Sequence, residues 1–168
     1  KDFDTMDMIL ETADLCKSFK SQIAVNKVSL HIKKNSVYGL LGPNGAGKST
    51  LFNAICGTFW LDSGSILLNG EDISYLPEHK RALRIGRVFQ DPMLGTASDM
   101  AIQENLAMAN RRGMKRGLRW GITKEEKEVF YKTLQRLGLG LEDRMTVKVG
   151  LLSGGQRQAL TLLMATLK

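Results

Sequence analysis

The chain of 168 residues is 43% apolar and 24% charged, with a formal net charge of +7. This length suits one domain with a sizeable core, and the composition is that of a globular protein rather than a disordered or fibrous one. No apolar run approaches the ~20 residues that a membrane-spanning helix needs, so we expect any membrane role to pass through a partner. Cys16 and Cys56 lie far apart in no metal-binding spacing, which indicates small buried residues in a reducing compartment.

Strands are predicted before the first glycine-rich segment. Residues 9–19 and 28–32 alternate apolar and polar side chains, which is typical of antiparallel strands. Residues 37–41 form a short apolar run, which predicts a strand that leads directly into the glycines. A helix is expected after them, at residues 47–56. This order of strand, loop and helix is the one that a phosphate-binding loop requires.

The glycine-rich segment fits the pattern G-x-x-x-x-G-K-[ST]. Its glycines allow backbone N–H groups to turn around a triphosphate, and the helix that follows points its positive end at the same phosphates. Lys48 supplies an ammonium group for the β and γ phosphates, and Ser49 supplies a hydroxyl for Mg²⁺. We therefore predict a nucleotide site made of Gly42, Pro43, Asn44, Gly45, Ala46, Gly47, Lys48, Ser49 and Thr50.

The segment after the loop helix predicts further strands. Residues 65–68 predict a strand, and Asn69-Gly70 is a strong signal for a tight hairpin turn. Pro77 is typical of the first turn of a helix. Residues 85–89 form a short apolar run, which predicts a buried strand that ends just before a glutamine.

Helices are predicted in the rest of the chain. Ser98 or Asp99 can cap a first helix. Thr123, with Glu126 three residues later, forms a capping box that opens a second one. A last, apolar helix is expected at residues 156–167, after two consecutive glycines.

A basic run separates the first two of these helices. Such a run can bind an acidic lipid surface, a partner protein or nucleic acid. It is more often a solvated connector, which is the interpretation that we favour here. Its members are Arg111, Arg112, Lys115, Arg116 and Arg119.

A second anion-binding motif opens the last helix. Residues 152–156 read Leu-Ser-Gly-Gly-Gln, which places a hydroxyl and bare N–H groups at the positive end of a helix. With the Lys48 loop, and with Gln90 between the two motifs, the chain resembles the ATP-binding cassette of ABC transporters. The resemblance extends from about residue 9 to the last residue.

The resemblance implies an α/β fold. A cassette of this kind has a P-loop NTPase (RecA-like) core with an antiparallel β subdomain and an inserted helical subdomain. In this chain the β subdomain and core would occupy about residues 8–90, the helical subdomain about 91–152 and the signature helix 153–168. We expect the cassette to be incomplete at the C-terminus.

The resemblance also implies roles for single residues. Lys48 and Gln90 would be catalytic, and Ser49 and Gln90 would reach Mg²⁺. Phe19 matches the aromatic residue that stacks on adenine, although a core phenylalanine is the alternative. In a head-to-tail homodimer each ATP would lie between the Lys48 loop of one chain and the signature of the other. The signature residues are Ser153, Gly154, Gly155 and Gln156.

The implied function is that of an ATP-binding subunit which hydrolyses ATP to power transport. Such a subunit works at the cytoplasmic face of the membrane, and its partners are a transmembrane permease subunit and a second cassette. No nucleic acid is expected as a partner. The alternative is a soluble ABC ATPase that acts on nucleic acid or ribosomes, which only the basic run favours. The substrate and the direction of transport stay open.

The sequence departs from the family pattern after the signature helix. It contains no apolar strand that ends in Asp-Glu and no later strand with a switch histidine. A positioned general base typically contributes about 10²–10⁴ in rate. We therefore expect the chain, as a fragment of a longer protein, to bind ATP without hydrolysing it at a useful rate.

Overall fold

The computed structural model describes residues 7–114 and 121–167. The chain divides into two compact units, Lys1–Ile85 and Gly86–Lys168. The first unit contains every described strand of the sheet, and the second contains the longer run of helices. Most of the predicted basic run, from residue 115 onward, lies outside the described residues.

The first unit is built on a four-stranded antiparallel sheet in the order β2-β1-β3-β4. The Asn69-Gly70 turn that joins the last two strands has φ angles of 50° and 79°, as the predicted hairpin requires. The strand starts and ends were predicted within a few residues, except that the second strand begins six residues earlier than expected. The strands are β1 (Met8–Phe19), β2 (Gln22–Lys33), β3 (Ser63–Leu68) and β4 (Glu71–Asp72).

From residue 7 onward the first unit also contains two helices, α1 (Lys48–Cys56) and α2 (Glu78–Arg81). The helix α1 was predicted within one residue of its start. The apolar face of α1 packs on the sheet. This packing is favourable because it removes apolar side chains of the helix and of the strands from water. The core residues are Leu15, Val25, Leu51, Ile55, Ile66, Leu68 and Ile73.

Two predicted strands do not form among the described residues. Residues 37–41 have no strand pairing, and Val37 and Leu41 are 100% and 93% exposed. Residues 85–89 likewise form no strand and are only partly buried. Both predictions were wrong because an apolar run becomes a strand only where a neighbouring strand accepts and donates its backbone hydrogen bonds.

In the part of the second unit that the structure describes, three helices pack around an apolar core. They are α3 (Ile102–Asn110), α4 (Lys124–Gln135) and α5 (Gly154–Thr166). Short 3-10 turns at Pro92–Gly95, Glu142–Arg144 and Val149–Leu151 complete the described elements. The core residues are Ile102, Leu106, Ala107, Phe130, Leu134, Leu141, Val149, Leu152 and Leu160.

The helix starts in this unit test the predicted caps. The capping box of α4 is confirmed, since Thr123 and Glu126 exchange both of its hydrogen bonds. The cap predicted at Ser98 or Asp99 is wrong, because α3 begins later, after Ala101. There the Glu104 carboxylate accepts a hydrogen bond of 2.7 Å from the Ala101 N–H group, which satisfies the helix start from within.

The division into three subdomains stays a prediction. None of the helices in the described part of the chain has both the length and the apolar character that crossing a membrane requires.

Candidate functional site

The loop before α1 is held by two left-handed glycines. Gly45 and Gly47 have φ angles of 84° and 82°, a region that residues with a side chain rarely adopt. A Cβ atom on Gly47 would lie only 2.2 Å from the backbone oxygen of Ala24 in β2. The absence of a side chain at Gly47 therefore lets the loop lie directly against the sheet.

The Lys48 side chain turns back onto this loop. Its Nζ atom donates hydrogen bonds to the carbonyl oxygens of Gly42, at 2.6 Å, and of Pro43, at 2.7 Å. An ammonium group has three donors, so these two bonds leave one for a phosphate oxygen. Ser49, in the same first turn of α1, is exposed, and Thr50 is half-buried.

A cavity of about 320 Å³ lies between the loop and β2. Among the residues that line it, Lys48 is the single charged one, and none carries a carboxylate. Phe19 and Ser49 do not line this cavity. The lining consists of Ile23, Ala24, Val25, Asn26, Val28, Leu40, Leu41, Ala46, Gly47, Lys48 and Leu51.

Phe19 ends β1 and is 46% exposed, so it is not a core residue. Its ring meets the ring of Phe59 at 87°, with 5.3 Å between the ring centroids. The Lys17 Nζ atom lies 5.6 Å from the Phe19 centroid and 2.7 Å from the Asp62 carboxylate. Sequence reasoning identified Phe19 but missed its three neighbours, because they come together only through the fold.

The far end of α1 is fixed by a buried arginine that sequence reasoning also missed. Arg81 is 1% exposed, and its Nη1 atom donates to the carbonyl oxygens of Ala54 and Ile55, at 2.8 and 2.9 Å. Its Nε and Nη2 atoms donate to the carbonyl oxygens of Leu76 and Ser74. Burial lowers the pKa of Arg81, against the opposing effect of Cys56 and then Asp72. The positive charge sits at the negative end of the helix dipole, where it is stabilising.

The signature motif forms the start of α5, which begins two residues earlier than predicted. Ser153 caps this helix, since its hydroxyl accepts a hydrogen bond of 3.3 Å from the Gln156 N–H group. The Gln156 side-chain oxygen in turn accepts a bond of 3.2 Å from the Ser153 N–H group. Gly154 and Gly155 are exposed, with nothing within 4 Å of where a Cβ atom would stand.

Gln90 belongs to the same unit as the signature. It is exposed and precedes the 3-10 turn, whose first bonds include the Asp91 carboxylate accepting from the Met93 N–H group at 2.9 Å. The turn ends at Gly95, where a Cβ atom would lie 2.6 Å from the Thr161 side chain of α5. The segment that carries Gln90 is therefore packed tightly onto the signature helix.

Protein-only metal coordination is not found in the described residues. They hold no group of three or more His, Cys, Asp or Glu side chains that could bind a metal ion. A metal ion at the loop would have to take its ligands mainly from a hydroxyl group, phosphate oxygens and water, which is a donor set that Mg²⁺ accepts.

Comparison with known proteins connects these features to one family. Residues 25–168 match the family model described as ABC transporter. The Tyrosine transport ATP-binding protein of Clostridioides difficile is 36% identical over 164 residues, which cover 95% of this chain and 65% of that protein. The Lipopolysaccharide export system ATP-binding protein LptB of Haemophilus influenzae is 46% identical over 99 residues, which cover 58% of this chain and 40% of that protein.

A solved structure gives the same result for the fold. The ADP conformation of MJ1267, an ATP-binding cassette of an ABC transporter, matches with a TM-score of 0.77 and 31% identity over 94% of this chain. The predicted fold class, an α/β P-loop NTPase cassette, is thereby confirmed. This chain spans 64% of the MJ1267 chain, so it corresponds to less than two thirds of its length, as it does for the two relatives.

Proposed function

The chain belongs to the ABC transporter family, and we propose that it binds MgATP as the nucleotide-binding part of a membrane transporter. The observation that carries this proposal is the geometry of the Lys48 loop. Its Gly47 lies against β2, and Lys48 follows as the first residue of α1. No side chain caps the first turn of α1, so its N–H groups are available to phosphate oxygens.

The loop residues would divide the work of holding the nucleotide. The third donor of Lys48 reaches a β or γ phosphate oxygen, and the loop carbonyls that hold its other two donors keep it oriented. The exposed Ser49 hydroxyl would serve as one ligand of Mg²⁺, and the metal ion, when bound, would supply positive charge that offsets the charge of the phosphates. Phe19 offers a half-exposed ring face for adenine.

The second unit would serve the nucleotide of another chain. We propose that two cassettes pair head to tail, so that the exposed glycines of α5 approach the phosphates held by the partner's loop. The proposal is supported by a helix start with open space around Gly154 and Gly155. Gln90 would contact the bound metal ion and water, and would couple this contact to a permease through its own segment, which packs on α5.

We propose that the protein works at the cytoplasmic face of a membrane, bound to a transmembrane permease subunit. Its relatives support this role through their names, one for tyrosine transport and one for lipopolysaccharide export. Because the two names give different cargoes and only one of them gives a direction, neither property is assigned to this chain.

The two described residues of the basic run, Arg111 and Arg112, do not favour the nucleic-acid alternative. Arg111 pairs with Glu126 at 2.6 Å and donates to the Gly121 carbonyl oxygen, and Arg112 donates to the carbonyl oxygen of Met164. Both guanidinium groups thus serve the second unit itself, as expected for a connector between helices.

We infer further that these 168 residues hold ATP without turning it over. The cavity beside Lys48 is lined by no carboxylate that could polarise water. Several carboxylates of the described part already have partners, such as Asp62 with Lys17 and Glu126 with Arg111. The residues that line this cavity therefore supply no general base.

Calorimetric titration of the purified chain with MgATP tests the proposal, together with a phosphate-release assay. We expect saturable binding that Lys48→Ala weakens about 10- to 100-fold, because a hydrogen bond to a charged group contributes about 1.5–3 kcal/mol. Lys80→Ala, which removes an exposed lysine of α2, is the matched control and should bind normally. Equal binding by the two variants would refute the assignment of the site, and steady phosphate release by the chain would refute the claim about turnover.

A further inference from the structure

Asp62 forms hydrogen bonds with the last residues of β1 before Phe19. Its N–H group donates to the carbonyl oxygen of Cys16 at 3.0 Å. Its carboxylate accepts from the Lys17 ammonium at 2.7 Å and from the Ser18 N–H group at 2.6 Å. Three consecutive residues are thus tied to one side chain and its backbone, so the point where Phe19 leaves the strand is fixed.

The segment that carries Asp62 is anchored at its other end to the loop helix. Gly57 ends α1 in the left-handed conformation, with φ of 85°, and its N–H group bonds to the carbonyl oxygens of Asn53 and Ala54. The Thr58 N–H group also donates to the Asn53 carbonyl oxygen, at 3.0 Å. Residues 57–62 therefore form a short bridge from the end of α1 to the end of β1.

Phe59 lies in the middle of this bridge and faces Phe19. The two rings form an edge-to-face pair, which is a favoured aromatic geometry. The Lys17 ammonium lies 5.6 Å from one ring centroid and 5.7 Å from the other, so one cation contacts both rings. Phe59 is half-buried, whereas Phe19 keeps 46% of its surface exposed.

We propose that Phe59 and Asp62 are positioning residues for the purine base of the nucleotide. They hold the Phe19 ring in one orientation, so that its exposed face is ready to stack on the base. This inference rests on the proposed function, because it assumes that the loop holds the phosphates of the same nucleotide. It adds Phe59, which contacts the Phe19 ring, and Asp62, which binds Lys17 and Ser18 next to that ring, and neither residue needs to touch the ligand.

The reason for such a device is entropic. A phenylalanine at the end of a strand with half of its surface exposed has several rotamers, and fixing it on binding reduces affinity. A ring that is already held by an aromatic partner and a cation loses less freedom when the base arrives. The contribution is separable from phosphate binding, since neither Phe59 nor Asp62 lines the cavity beside Lys48.

The experiment compares two ligands, MgATP and inorganic tripolyphosphate with Mg²⁺, which share the phosphate chain and differ in the base and sugar. We expect Phe59→Leu to weaken MgATP binding about 2- to 10-fold, the size of an aromatic pair contribution, and to leave tripolyphosphate binding unchanged. Phe59→Tyr should restore MgATP binding. Trp60→Leu is the control, because it removes an exposed aromatic ring from the same bridge.

Each outcome decides the proposal. If Phe59→Leu binds MgATP as tightly as the parent chain, or loses both ligands equally, Phe59 does not position the base. If the parent chain binds neither ligand, the proposed function fails first and the inference falls with it. If Phe59→Leu does not fold, Asp62→Asn provides the same comparison, with the same selective loss of MgATP expected.

Discussion

The helices α1 and α5 both have a glycine at their start, Gly47 just before α1 and Gly154 as the first residue of α5, but their first turns are built differently. The helix α1 is entered through the left-handed Gly47, and no side chain caps it. The helix α5 is entered through the extended Ser153, which closes a capping box with Gln156. An anion at the start of α1 therefore meets N–H groups that no side chain caps, together with an ammonium group. At the start of α5, the Ser153 and Gln156 N–H groups already donate to side-chain oxygens. We infer that α1 is the primary phosphate site and that α5 completes a site elsewhere.

Alanine at a glycine of each helix start should have opposite effects on stability. Gly47→Ala adds a Cβ atom 2.2 Å from the Ala24 oxygen at a φ of 82°, so we expect a loss of at least about 2 kcal/mol. Gly155→Ala meets open space inside a helix, so we expect a gain of about 0.5–1 kcal/mol. Urea unfolding of both variants measures the difference.

Gly45→Ala is the control for the first effect. It has nearly the same φ, at 84°, but nothing within 4 Å of the added atom. It should therefore cost only the backbone strain, about 1–2 kcal/mol. Equal losses for Gly45→Ala and Gly47→Ala would show that the contact with β2 does not hold the loop.

Removal of the α5 cap should affect stability but not nucleotide affinity. Ser153→Ala deletes the hydroxyl that accepts from the Gln156 N–H group, so we expect a loss of about 1 kcal/mol of unfolding free energy. MgATP binding to the isolated chain should not change, because Ser153 would serve the nucleotide of a partner. Weaker binding by Ser153→Ala at concentrations where the chain is monomeric would contradict this division of labour.

Local signals allowed the loop, the hairpin turn and one helix cap to be predicted from the sequence. The Gly47-to-Thr50 stretch, Asn69-Gly70 and the Thr123–Glu126 box each act over a few residues, and each forms as expected. Such features need only backbone preferences and near neighbours, which the sequence displays directly.

Features that depend on distant residues could not be predicted. Residues 37–41 have the composition of a strand, but strand formation needs a partner that composition does not reveal. Arg81 binds carbonyl oxygens of α1 that lie 26 and 27 residues away, and Asp62 binds β1 residues 44 and 45 residues away. No local pattern marks either residue, although Arg81 fixes the C-terminal end of α1 and Asp62 fixes the end of β1.

The smallest expected effect is a difference in the pH dependence of stability between the end of β1, at Asp62, and the start of α5, at Ser153. The Lys17 ammonium, and then the Ser18 N–H group, hold the pKa of Asp62 below its usual value, whereas the Ser153–Gln156 box has no titratable group. A carboxyl group with a lowered folded pKa contributes stability above its unfolded pKa of about 4, and loses that contribution as the pH falls through the folded pKa. In urea unfolding from pH 6 to pH 2.5, the stability gap between the parent chain and Asp62→Asn should therefore close with falling pH. The gap to Ser153→Ala should stay constant, because carboxylates elsewhere titrate alike in all three chains. A gap to Asp62→Asn that does not change with pH would show that the Asp62 charge contributes nothing to the end of β1.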